Sequence, residues 1–166
     1  MIITDWEQLA DYLDNSIKQC LPIIANKVSK ILKRFVKERW YNTHKPTHYR
    51  RTLEVLNSIT VSEVQQVGNG YQVLVYFDPS KINNVLTDIK GYFNHHMSID
   101  GSSTWSGMNL AELVPLFMDQ GQSSKIRPYS GVHFMQATID EVKSSQIDVN
   151  VLKRRLRSQG LNITII

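Results

Sequence analysis

A lone cysteine, Cys20, excludes an internal disulfide, and its apolar neighbours on a helical spacing make it a reduced packing residue. No paired-cysteine zinc spacing, glycine-rich phosphate loop or nucleophile elbow occurs. No apolar run approaches the roughly 18 residues that a membrane span needs. The opening MIITDWEQLADYL carries early acids and no basic leader, so it does not read as a signal peptide, and synthesis in the cytoplasm is expected. Long acidic or basic tracts and low-complexity segments are missing too. With 42% hydrophobic and 20% charged residues the chain is not a disordered one, and its 166 residues suit one domain, 1–166.

Charge is present but unevenly spread. The net +4 divides into ten Lys/Arg against five Asp/Glu over residues 1–51, two against seven over 52–120, and seven against three over 121–166. Plus, minus, plus along the chain suggests charge-complementary contacts with an acidic partner or between copies of the protein.

Thr4 and Glu7 form a capping box ahead of Leu9, Leu13, Ile17, Cys20, Leu21, Ile24, Val28, Ile31, Leu32 and Phe35. Their spacing predicts a long amphipathic helix to about Trp40, with a kink or break at Pro22. Its second half is basic. RTLEVLNSITV is mixed in character, whereas Gly-Asn-Gly at 68–70 between β-rich runs predicts a hairpin. YQVLVYF, apolar on both faces, reads as an interior strand. A long loop covers 78–109, with room for a short helix, and an ordered region this sparse suggests an excursion toward a partner. NLAELVPLFMDQG predicts a helix ending at Gly121, VHFMQATIDEVKSSQ another, and DVNVLKRRLRSQG a third with Asp148 as cap and Gly160 at its end. LNITII predicts a final strand. Together these give an α+β fold: an antiparallel sheet with a β-hairpin, packed by the long N-terminal helix and the C-terminal helices.

Catalytic chemistry finds little support. His95 and His96 are adjacent and point apart on a strand, His44 and His48 flank Pro46, and His133 lacks an acidic ligand at helical spacing. Asp78, Asp88 and Asp100 share a loop region that nothing in their spacing holds together. No catalytic residue, metal or cofactor is expected. The densest chemistry is RWYNTHKPTHYRRT, residues 39–52, where Arg39, Lys45, Arg50 and Arg51 are interleaved with Trp40, Tyr41 and Tyr49. With Arg34 and Lys37 before it, this stretch offers phosphate contacts and stacking surfaces. LKRRLR, 152–157, is a second basic cluster. A small basic DNA-binding protein is therefore one reading; solvated helix faces and a loop fastened to its own domain are the plainer one.

The segment 41–61 resembles one found in head–tail joining, or tail-completion, proteins of tailed bacteriophages, which sit in the neck between connector and tail tube. The matching positions are Tyr41, Pro46, Tyr49, Arg51, Thr52, Leu56, Asn57, Ser58 and Ile59. A preceding amphipathic helix, the following YQVLVYFDP, and Gly121, Arg127 and Phe134 downstream also match. The 78–109 loop is longer than that pattern provides. The resemblance implies no enzyme but a structural virion protein, homo-oligomeric in a ring at the head–tail junction and bound to neighbouring connector and tail proteins, without a membrane. It assigns docking roles to Tyr41, Pro46, Tyr49, Arg51, Thr52 and Arg127. Lys33, Arg34, Lys37, Arg154 and Arg155 would then face packaged DNA or adjoining subunits. A tail terminator or minor capsid protein differs from this only in address.

Overall fold

A computed structural model describes residues 5–43, 53–82, 110–122 and 129–161. In chain order its elements are α1 (Trp6–Val36), a π-helical turn (Lys37–Tyr41), α2 (Glu54–Ser58), β1 (Ile59–Val61), β2 (Gln65–Val67), β3 (Gly70–Gln72) and β4 (Val75–Phe77). A 3-10 turn (Pro79–Lys81), α3 (Leu110–Gln120), β5 (Gly121–Gln122), β6 (Tyr129–Ser130), α4 (Phe134–Ser145) and α5 (Ile147–Ser158) follow. The fold is α+β, as the sequence predicts. Its described strands form three two-stranded ladders, β1–β4, β2–β3 and β5–β6, rather than one sheet.

The 31 residues of α1 form a single helix through Pro22. A proline there deletes one backbone hydrogen bond, at a cost of about 3 kcal/mol. Cys20 and Ala25, both buried on either side of it, supply packing that offsets the loss. At the start Asp5 Oδ1 accepts from the Gln8 amide at 2.7 Å, a capping contact; Thr4, of the predicted capping box, lies outside the described residues. The buried residues of α1 are Ser16, Cys20, Ala25, Ser29, Leu32 and Val36, whereas Ile17 stays exposed. Of the predicted stripe, Cys20 and Leu32 are buried, and Leu9, Leu13, Leu21, Ile24, Val28, Ile31 and Phe35 are half-buried. Small side chains at Ser16, Ala25 and Ser29 join the buried set.

The chain divides into two compact units: Met1–Ile31, Val61–Val75 and Thr138–Ile166 in the first, Leu32–Thr60 and Tyr76–Ala137 in the second. In the first, Cys20, Ala25, Val151 and Leu156 form the described core. The β2–β3 hairpin pairs Gln65 with Gln72, Gln66 with Tyr71 and Val67 with Gly70. Its turn needs a left-handed residue, met by Gly68 at φ 58°. The predicted single strand YQVLVYF is broken at Val73–Leu74. Ser62 captures both polar groups of Leu74: its amide donates to the Leu74 carbonyl, and its hydroxyl accepts from the Leu74 amide, each at 2.9 Å. Nor is the second half interior, since Tyr76 is exposed on a two-stranded ladder.

At the end of this unit α5 is preceded by Gln146 at φ 46°, and Asp148 sits within its first turn instead of capping it. The carboxylate still favours the positive end of the helix dipole. Gly160, at φ 88°, closes α5: its amide donates to the Arg157 carbonyl and that of Leu161 to Leu156, both at 3.0 Å. The predicted strand from Asn162 onward lies outside the described residues.

In the second unit Leu32, Val36, Val55, Ile59, Ile82, Val114, Met118, Phe134 and Ala137 are buried. Phe77 meets Phe134 edge to face, with centroids 5.9 Å apart. Asp78 opens the 3-10 turn by accepting from the Ser80 amide and hydroxyl, and pairs with Lys81 at 3.3 Å. Lys81 in turn donates to the Thr60 hydroxyl at 2.8 Å, tying the turn back to β1. That places Ile82, fully buried, at the described start of the predicted 78–109 loop.

Candidate functional site

Two polar constructions emerge, one in each unit. In the second unit the π-helical turn at the end of α1 carries the exposed Arg39 across Phe35. Arg34 and Arg39 both lie over that ring, at 4.7 and 5.1 Å from its centroid. From there Arg39 Nη1 donates to the carbonyls of Val132 and His133, each at 3.1 Å. The same junction is fixed from the other side by Asp119. Its carbonyl accepts from the His133 amide at 2.9 Å, and its Oδ1 accepts from the Met135 amide at 2.8 Å, capping α4. A Cβ on Gly131 would run into the Asp119 carbonyl and the Gln120 backbone, so only glycine fits. His133 itself enters α4 at φ 50°, a left-handed conformation that costs a branched side chain most and histidine less. Arg39 Nη1 is thus engaged with carbonyls of its own chain.

In the first unit α5 is clasped to α1 through Gln159. The amide orientation that serves every neighbour has Gln159 Nε2 donating to Tyr12 Oη at 2.6 Å and Ser16 Oγ at 3.1 Å. Its Oε1 then accepts from Nε and Nη2 of Arg155, 3.2 Å each. Arg155 reaches on to the Gln19 side-chain oxygen. It also lies near Cys20: burial raises the thiol pKa, and the Arg155 charge pulls it the other way. Across the same helix Tyr71 Oη donates to Asp14 at 2.8 Å, with Lys18 over its ring at 5.2 Å. The accepting carboxylate, then burial, then the Asp14 charge raise the Tyr71 pKa.

The residues singled out from sequence separate accordingly. Lys33, Arg34 and Lys37 are exposed at the end of α1, Arg34 with its Nε 3.9 Å from Glu38. Arg154 is exposed and Arg155 half-buried on α5. Tyr41 is half-buried at the end of the π-helical turn, where the Asn42 amide reaches the Lys37 carbonyl at 2.9 Å. Pro46, Tyr49, Arg51, Thr52 and Arg127 lie outside the described residues, as do His44, His48, His95, His96, Asp88 and Asp100. Among the described residues, no three His, Cys, Asp or Glu side chains are grouped as metal ligands. No described helix is long and apolar enough to cross a membrane.

Sequence reasoning missed Gln159, Asp119 and Gly131 altogether. A neutral amide past a helix end and a glycine in a short connection carry no local signal; their partners decide their roles.

The chain matches a family model, YomN, over residues 5–158, and so it belongs to the YomN family, a Bacillus phage-derived family with its namesake in the SPbeta prophage. No curated protein and no solved structure matches it.

Proposed function

We propose that this member of the YomN family is a structural protein of the phage particle, forming part of a ring at the head–tail junction and acting by protein–protein binding. The observation that carries the reading is the phage-derived family match across almost the whole chain. The finer assignment rests on the likeness of residues 41–59 to neck proteins and on the alternation of charge along the chain. In this reading Tyr41, Pro46, Tyr49, Arg51, Thr52 and Arg127 dock against neighbouring connector and tail proteins. Tyrosine brings a large ring with a polar tip, and arginine a fork of donors suited to carboxylates and carbonyls. Segments of opposite charge pair adjacent copies head to tail, a heterologous contact that closes by rotation. The 78–107 segment and the C-terminal residues reach the next ring by loop docking or strand addition. The protein is made in the host cytoplasm and carried in the virion neck.

Antibody–gold labelling of purified parent virions tests this. Label at the head–tail junction supports the neck assignment. Label on the shell or the distal tail keeps the structural class and changes the address. Unlabelled particles from cells rich in the protein would overturn the reading.

A further inference from the structure

The two basic segments read separately in the sequence meet in the fold. Residues 15–31 and 149–161 together contain seven Lys/Arg and no Asp or Glu. The Gln159 clasp and the Arg155–Gln19 bond bring α5 onto α1 within one compact unit. Tyr12, Ser16, Gln19, Ile23, Asn26 and Lys30 follow one another at spacings of three and four, so they form one row along α1. The first three members hold α5. The last three, Ile23, Asn26 and Lys30, are exposed. The row therefore runs out from under α5 into an open shelf, with Lys27 on its edge and Arg154 and Arg157 exposed on the adjoining helix.

We propose that this α1–α5 shelf binds the sugar-phosphate backbone of duplex DNA. Three features favour that occupant over an acidic protein or a single strand. Lysine is depleted at the centres of protein–protein interfaces, whereas Lys, Arg, Asn and Gln together are the usual partners of phosphate oxygens. Residues 15–31 of α1 and 149–161, in α5 and just beyond it, contribute no acid to repel a polyanion; the acids of these two helices, Glu7, Asp11, Asp14 and Asp148, lie outside those ranges. The rings beside the shelf are already engaged, Tyr12 by Gln159 and Tyr71 by Asp14 and Lys18, so the stacking that single-strand binding relies on has little platform here. Nothing in the set reads base edges; the binding is indifferent to sequence. The proposal stands apart from the ring reading and concerns a different face of chemistry.

The test is fluorescence anisotropy of a short labelled duplex of arbitrary sequence, titrated with the full-length protein over a range of salt. Binding should weaken linearly on a log–log plot, with a slope of about −0.9 for each phosphate neutralised. Replacing both lysines (Lys27→Ala with Lys30→Ala) should weaken binding and make that slope shallower by about 2. Lys30→Arg should retain it, and unchanged thermal melting shows that the variants are folded. No binding at low salt would overturn the proposal. So would a slope that the double variant leaves unchanged, or tighter capture of polyglutamate than of duplex at equal salt. Sedimentation of the same samples reports the oligomer separately, so loss of DNA binding and loss of the ring are told apart.

Discussion

Arg39 donates to the carbonyl of His133 at 3.1 Å, joining the end of α1 to the one residue that enters α4 in a left-handed conformation. The same nitrogen serves Val132, and the guanidinium rests on Phe35. Charge, ring and two carbonyls thus hold a single connection. Arg39→Ala should lower stability by about 1–2 kcal/mol, because charge-assisted hydrogen bonds are worth somewhat more than neutral ones and this one is exposed. Arg39→Lys should recover only part, lacking the planar fork. Urea unfolding midpoints of the two variants decide it, and equal midpoints would show that the carbonyl contacts contribute nothing.

The sequence made the helices and the hairpin legible because those depend on near neighbours: the apolar spacing of α1, Gly-Asn-Gly at the hairpin, Gly160 at the end of α5. It did not make this connection legible, since Arg39 and His133 are 94 residues apart. Likewise the break in YQVLVYF is imposed by Ser62, twelve residues from Leu74, and the clasp on α5 by Tyr12, 147 residues from Gln159. Of the candidate docking residues, the sequence located a dense stretch, and only Tyr41 of that set falls within the described chain.

Phe134 is fully buried and stacks edge-on to Phe77. Phe134→Ala should cost about 3–5 kcal/mol through lost burial and the cavity left behind. Phe134→Leu should cost less, since it keeps most of the volume. Thermal or urea denaturation of both variants gives the ordering, and equal losses would contradict the packing argument.

Gly131→Ala should destabilise the protein by at least about 1–3 kcal/mol, the usual cost of forcing extra volume into a packed site. Here the obstruction is backbone, the Asp119 carbonyl and Gln120, which cannot swing aside as a side chain would. An unchanged melting temperature would refute the close approach.

Ser80, then Lys81, hold the Asp78 carboxyl below its ordinary value of 3.8. A depressed carboxylate contributes stability that is complete above the ordinary value and is lost as pH falls through the folded one. Asp78→Asn should therefore narrow the difference in unfolding midpoint between neutral and acid pH. A variant with the wild-type acid limb would remove Asp78 from that dependence.

Tyr71 behaves in the opposite sense. Its pKa is raised above 10.0 by the hydrogen bond to Asp14, so the stabilising contact is intact below that value and is lost as pH climbs through the folded one. Ultraviolet titration should show one tyrosine ionising late in the wild type. That late component should vanish in Asp14→Ala and in Tyr71→Phe; its survival in either would disprove the pairing.

The Gln159 clasp consists of an amide, two hydroxyls and an arginine, with no carboxylate in it. Dissolved ions screen attraction between opposite charges, but there is no such pair here to screen. High salt should therefore strip a bound polyanion from the surrounding surface while leaving α5 seated on α1. For anyone handling the protein this is a practical asymmetry: a strong salt wash during purification cleans the surface without loosening the platform that carries it.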